Sequence, residues 1–179
     1  TATLTVGRAT PAVTFSDVTK NYGDADFGLS ATSSNTSAVT YTSSDPSVAT
    51  VSGSTVTIVG AGTTTITMTQ VSDANYLSAT ATATLTVAKA TPAVTFADVT
   101  KTYGDADFAL SATSSNTSAV TYTSSDTSVA TITGSTVTIV GAGTTTITMS
   151  QVADANYFSA TSTATLTVGR ATPAVTFSD

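Results

Sequence analysis

The sequence predicts an all-β chain built from small two-sheet sandwiches repeated in tandem and arranged end to end. Three observations predict it. Thr, Ala, Ser and Val dominate, Glu is absent and charged residues make up 9%, against an average of about 25%. That mix favours strands and disfavours helices, which draw on Leu, Glu, Lys and Arg. Apolar residues alternate with threonine over short runs, the period of a half-buried strand. The heptapeptide ATPAVTF recurs at 9–15, 90–96 and 171–177, a period of 81 residues from Pro11 to Pro92.

Residues 9–89 align with 90–170 without a gap and with 12 differences. Residues 1–8 match 82–89, the tail of a repeat; residues 171–179 match 9–17, its head. The expected organisation is a final strand of a preceding repeat (1–8), two whole repeats (9–89 and 90–170) and the first strand of a following repeat (171–179). The chain therefore reads as a section of a longer array.

Within a repeat the elements follow from period two. Residues 12–15 form a strand with Val13 and Phe15 inward. Residues 26–33 turn Phe27, Leu29 and Ala31 inward, and 38–43 turn Val39 and Tyr41 inward. Residues 48–51 fit either phase. Residues 55–59 bury Val56 and Ile58; 63–71 bury Ile66 and Met68; 79–87 bury Ala81, Ala83, Leu85 and Val87. SSNTS, SSDPS, SGS, GAG and SDANY separate these runs and are rich in turn formers. About seven antiparallel strands per repeat, with turns every 8–12 residues or about that, suggest a sandwich of immunoglobulin type.

Composition excludes several functions. The chain has no Cys and no His, so Ser–His–Asp and Cys–His catalysis, disulfides and thiolate metal sites are out. Nothing supports an enzyme. The formal charge is −6 and the pI about 4.1. Five scattered basic residues make no phosphate-binding stripe, so no nucleic acid is expected. No apolar run reaches membrane-spanning length, and no membrane insertion is expected within these residues.

The run YTSSDPSVATVSGSTVTIVGAGTTTITMTQ, followed by LTV and a fresh ATP, resembles the bacterial immunoglobulin-like (group 2) repeats of large cell-surface proteins. KNYGDADFGLSAT is similar to the opening of YGD-containing repeats of giant adhesins. The resemblance covers the whole chain. It implies β-sandwiches acting as stalk on the bacterial cell surface, partnered by neighbouring repeats of the same chain. Thr127 stands where the first repeat has Pro46, a departure confined to a turn.

Two sets of residues are candidate sites. The first is acidic: Asp24 and Asp26 in YGDADF, Asp45 in SSDPS, their counterparts Asp105, Asp107 and Asp126, and Asp154 with Asn156 in ADANY. Calcium takes six to eight oxygens of such types. In the proposed topology Asp17, Asp24, Asp26 and Asp45 of one repeat face Asn116, Asp154 and Asn156 of the next, so calcium at a junction is the cofactor these residues admit. The competing reading is that Asp24 and Asp73 close Asx turns and Asp26 opens a strand. Lys20 and Lys101 read as lying in a polar loop, too exposed for an isopeptide bond. Gly60-Ala61-Gly62 reads as a tight turn.

The second set is a threonine lattice. If residues 79–87 pair with 63–71, and these with 38–43, then Thr80, Thr82, Thr84, Thr86, Thr65, Thr67, Thr69, Thr40 and Thr42 share one face. Ordered hydroxyls and methyls suit a glycan or ice; equally, threonine is the ordinary wet side of a strand. Sheet twist of about −20° to −25° per strand pair spoils flatness. The leading expectation is a spacer projecting a distal binding region. The alternatives are a fibre segment assembled by strand exchange with other copies, and a glycan- or ice-binding module.

Overall fold

The computed structural model describes residues 1–177. It forms two compact units, the first spanning Thr1–Ala90 and the second beginning at Thr91. The first unit contains β1 (Val13–Thr14), β2 (Val18–Asn21), β3 (Phe27–Gly28), β4 (Thr32–Ser33), β5 (Val39–Ser43), β6 (Ala49–Ser52), β7 (Thr55–Ile58), β8 (Gly62–Gln70) and β9 (Ala79–Ala88). The second contains β10 (Val94–Thr95), β11 (Val99–Thr102), β12 (Phe108–Ala109), β13 (Thr113–Ser114), β14 (Val120–Ser124), β15 (Ala130–Thr133), β16 (Thr136–Ile139), β17 (Gly143–Gln151) and β18 (Ala160–Gly169).

Each unit is a β-sandwich. In the first, one sheet has the order β2-β9-β8-β5 and the other β3-β7-β6, with β1-β4 as a separate two-stranded ladder. The second unit reproduces this order. The long hairpin β8–β9 pairs from Gly62↔Val87 to Gln70↔Ala79 without interruption. Its partner β17–β18 pairs from Gly143↔Val168 to Gln151↔Ala160.

The expectation of wholly antiparallel strands is corrected at β2, which runs parallel to β9 in the register Val18↔Leu85 to Asn21↔Ala88. The chain leaves β4's ladder after Thr14 and crosses to the opposite sheet, where Asp17 Oδ1 accepts the Thr84 N–H at 2.7 Å. Lys20 therefore lies on a strand, not in a loop. It shares the inward phase of Val18 and is half-buried. Its ammonium stands 4.9 Å from the centre of the Phe27 ring, a cation–π contact. A charged residue at an inward position masked the alternation that marks a strand.

The expected strand 26–33 is two pieces in different ladders, β3 on β7 and β4 on β1. Between them the Leu29 N–H reaches the Ser54 carbonyl at 2.7 Å, and the Ala31 N–H reaches the Tyr41 hydroxyl at 3.2 Å. The backbone groups of the break are thus satisfied off the ladder. The undecided phase of 48–51 resolves with Ala49 and Val51 inward and Val48 buried in the preceding turn.

The first core gathers Val48, Ala49, Val56, Ile66, Leu85 and Val87, flanked by Phe15, Phe27, Tyr41 and others. Phe15 and Tyr41 lie 5.6 Å apart, ring centre to ring centre. Burial of each such Val, Ile or Leu contributes about 1.5–3 kcal/mol. The turn after β7 closes over this core. Gly62 has φ of 151°, and a Cβ there would stand 2.9 Å from Val48 Cγ2. In the second unit a Cβ on Gly141 would stand 2.7 Å from the Ser128 carbonyl oxygen. Close approach, beside backbone freedom, is what the Gly-Ala-Gly turn requires.

Candidate functional site

Pairing of β5 with β8 and of β8 with β9 sets the outward threonines side by side. Thr40, Thr69 and Thr80 form one rung, Thr42, Thr67 and Thr82 a second, and Thr65 with Thr84 a third. A fourth rung joins Thr63, Thr86 and Thr19. Thr19 and Thr63 were absent from the sequence-based set, Thr19 because β2 was unread. In the second unit the rungs are Thr121–Ser150–Thr161, Thr123–Thr148–Thr163, Thr146–Thr165 and Thr144–Thr167–Thr100.

Pair type sets how close these side chains come. The Ser44 N–H donates to the Thr65 carbonyl at 3.0 Å, and the Thr65 N–H donates to Ser44 Oγ at 3.0 Å. Thr65 thus turns its backbone groups away from β9, and Thr65/Thr84 is a non-hydrogen-bonded pair. By alternation so are Thr67/Thr82 and Thr69/Thr80. Such pairs bring Cα atoms to about 4.5 Å and side chains to their closest. Each threonine pair contributes about 0.2–1 kcal/mol. Most of these threonines are exposed; Thr67 and Thr86 are half-buried.

The acidic residues are dispersed among local roles. Asp24 Oδ2 accepts the Asn21 N–H at 2.8 Å and Asp105 Oδ2 the Thr102 N–H at 2.9 Å. Asp26 and Asp107 accept from the hydroxyls of Thr57 and Thr138 at 2.9 and 2.8 Å. Asp154 Oδ1 accepts the backbone N–H of Asn156 at 2.7 Å and of Tyr157 at 2.6 Å; Asp73 does the same for Asn75 and Tyr76. Asp45 Oδ1 accepts the Ser47 N–H at 2.9 Å and its hydroxyl at 2.6 Å. Those two donors hold the Asp45 carboxyl below its ordinary 3.8, against a smaller opposing effect of desolvation. Ser128 holds Asp126 down in the same way. Among the described residues no three His, Cys, Asp or Glu side chains are grouped so as to hold a metal ion.

Two buried polar clusters, one near each end of β8, were missed by sequence reasoning. Gln70 is buried and donates from Nε2 to the carbonyls of Asn35 and Ser37, each at 2.9 Å, while the Ser33 hydroxyl donates to its Oε1 at 2.6 Å. Buried Asn35 donates to the Val71 carbonyl at 3.0 Å and accepts the Ser37 N–H at 2.8 Å. At the other end the Thr64 hydroxyl meets Ser43 at 2.8 Å and accepts the Asp45 N–H at 3.0 Å. A signal existed. Thr64 and Gln70 share the inward parity of Ile66 and Met68, so two polar side chains had to be satisfied indoors. SSNTS and SSDPS are their partners as well as turns.

A shallow groove of about 300 Å³ runs beside β5 and β6, lined by Tyr41, Pro46, Ala49 and Val51 among others. It brings together no titratable groups beyond Tyr41.

No protein-family model matches the sequence, and no curated protein does. Among solved structures, Drosophila N-cadherin EC1-4 is similar at 14% identity and a TM-score of 0.40, over 90% of this chain and 50% of that one. Human protocadherin-24 EC1-2 is similar at 15% and 0.38, over 93% and 100%. Domains 4–9 of the surface layer protein SbsC are similar at 22% and 0.37, over 83% and 26%. The chain thus spans about half of the N-cadherin structure.

Proposed function

We propose that the chain is a stretch of stalk from a long extracellular protein of the bacterial cell surface, whose product is reach. One observation carries this reading: the residues that could do chemistry are used up in holding each sandwich together. The inward polar groups close the ends of β8, and the carboxylates cap turns and strand ends. The same use recurs in both units with one bond's difference, at Gln151 Oε1, which suits a part valued for being repeated.

The linker supports a stiff array. Residues 86–92, TVAKATP, contain no Gly or Ser, and β9 carries strand geometry as far as Ala88. Pro92 fixes its own φ and biases Thr91 toward extended backbone. Each repeat would add about 40 Å, from strands of roughly eight residues at about 3.3 Å plus loops. Small-angle scattering on chains of two and four repeats tests this. The maximum dimension should grow linearly at about that increment; a four-repeat particle as compact as two would refute the stalk. In this reading calcium leaves the melting temperature unchanged, whereas a rise on adding calcium, reversed by a chelator, would identify the acidic residues as ligands.

A further inference from the structure

We propose that the free edge of β5 pairs with the same edge of a second copy of this chain, antiparallel and centred on Tyr41. The edge of β14, centred on Tyr122, is its equivalent.

The sheet order β2-β9-β8-β5 leaves β5 with one neighbour. The Ser44 N–H donates to the Thr65 carbonyl at 3.0 Å, so by alternation Thr42↔Thr67 and Thr40↔Thr69 are also hydrogen-bonded pairs. Val39, Tyr41 and Ser43 therefore turn their N–H and C=O groups away from β8, along the sheet plane. Such a row is a template for another strand unless it is guarded. The opposite side of the same sheet is guarded: Asp17 Oδ1 takes the Thr84 N–H on β9 at 2.7 Å, and β2 carries Lys20. Residues 37–44 contain no charge and no proline, and β5 pairs with β8 without a bulge.

The sequence of β5, VTYTS, points to a second copy as the partner, because it complements itself. Turned end for end about Tyr41, it sets Thr40 against the partner's Thr42 and Val39 against the partner's Ser43. The two Tyr41 residues then exchange both backbone bonds, and Val39 and Ser43 do the same on either side. The outward face stays threonine throughout, so the rung Thr40–Thr69–Thr80 continues into the partner's Thr42. On the inward side the partner's Tyr41 falls beside the groove of about 300 Å³ lined by Pro46, Ala49 and Val51. Asp45, the nearest charge in sequence, falls opposite the partner's Ser37, so like charges do not meet. Residues 34–45 recur unchanged as 115–126; β5 therefore fits β14 of another copy equally well, and one chain offers both edges. Each contact is self-complementary and closed. It is also small, and gains strength from repetition along the chain.

The first unit receives the chain at Ala9, bridged to Tyr76. It releases the chain at the far end of β9, where the Tyr22 N–H holds the Ala88 carbonyl at 2.8 Å. Antiparallel pairing reverses that direction between partners. On the stalk reading, on which this step alone rests, the contact joins stalks pointing opposite ways, as from two facing surfaces.

The test is sedimentation of the full chain up to about 1 mM, where the intact chain should associate reversibly. The variant Thr40→Lys/Thr42→Lys/Thr121→Lys/Thr123→Lys alters exposed positions only and sets lysine against lysine. It should keep its melting temperature and stay monomeric. The corresponding glutamate variant should also be monomeric, and an equimolar mixture of the two should associate. The chain has no cysteine, so disulfides read the register. Oxidising a mixture of Thr40→Cys/Thr121→Cys and Thr42→Cys/Thr123→Cys chains should link unlike chains in preference to like ones. In the unaltered chain, amide exchange at Val39, Tyr41 and Ser43 should slow as concentration rises. A monomer at every concentration, association that survives the lysine variant, or disulfides mainly between like chains would each overturn the proposal. If the charged variants fail to fold, the exchange and disulfide measurements decide. An extended chain that never associates would sink this pairing and leave the stalk, whereas a compact chain that associates would do the reverse.

Discussion

The two units differ at 12 of 81 positions, yet share one strand order and one register. Where they differ shows what each bond needs. Asn21 and Thr102 are different side chains, but both give only their backbone N–H to a carboxylate, at 2.8 and 2.9 Å. Pro46 and Thr127 occupy the same turn, held by Val48 and Ala49 N–H groups on the Asp45 carbonyl and their counterparts on Asp126. The polar clusters are the opposite case. There side chains themselves make the bonds, and Asn35, Thr64 and Gln70 recur unchanged as Asn116, Thr145 and Gln151. One bond breaks the parallel. Gln70 Oε1 receives the Ser33 hydroxyl at 2.6 Å, while Gln151 Oε1 is buried without a partner.

The strongest way to break the likeness is through the shared core. Ile66→Ala and Ile147→Ala empty equivalent, fully buried sites. Each should cost about 2–5 kcal/mol, the cavity term adding to the lost transfer term. The two costs should agree closely, because the buried residues of the two clusters correspond, the packing differing at Val51 and Ile132. Denaturant unfolding combined with residue-resolved amide exchange would separate the units. Costs that differed by more than about 1 kcal/mol would mean that the two cores relax differently.

The polar clusters sharpen the comparison at smaller scale. Gln70→Leu strands the Asn35 and Ser37 carbonyls and the Ser33 hydroxyl, a loss of about 1–3 kcal/mol. Gln151→Leu strands the carbonyls of Asn116 and Ser118, which Gln151 holds at 2.9 and 2.7 Å, but it also removes an acceptor that had no partner. It should cost less by roughly 1 kcal/mol, the net worth of one hydrogen bond. Equal costs would show that the Ser33 bond contributes nothing.

How legible all this was in the sequence depends on what each element presents. β8 and β9 alternate cleanly and face water on one side, so their inward residues and outward threonines followed from period two and their ends to within one residue. β2 alternates as well, but a lysine holds one inward position, and a charge there reads as loop until Phe27 is seen beneath it. The 26–33 break could not be read, because alternation persists through it. What breaks the strand is a choice of partner, β7 for one half and β1 for the other, and partners are tertiary facts. The acidic candidates illustrate the same limit. Turn formers and calcium ligands share one alphabet, and the sequence does not say which N–H each carboxylate accepts.

The turn itself offers a smaller test. Thr127→Pro copies the first unit's residue into a turn with the same backbone bonds. By restricting the unfolded chain it should stabilise the second unit by about 0.4–1 kcal/mol. Destabilisation would mean that the two turns differ in φ at this position despite their common bonds.

The smallest expected effect is a pH dependence that both units share. The Asp45 and Asp126 carboxyls titrate below 3.8 in the folded chain because Ser47 and Ser128 donate to their charged forms. A carboxyl lowered on folding binds its proton more readily when unfolded, so it stabilises the fold fully above the unfolded value. That contribution is lost as pH falls from about 4 through the lower folded value. Both groups lie at the surface, where solvent screens them, so the loss is a shallow slope and not a transition. The double variant Asp45→Asn/Asp126→Asn keeps an oxygen to accept from each serine but has no proton to bind. Its melting temperature should fall less steeply than the parent's between pH 5 and pH 2, by equal shares from each unit. An unchanged slope would place the acid sensitivity in other carboxylates and remove the serine-bonded pair from the account.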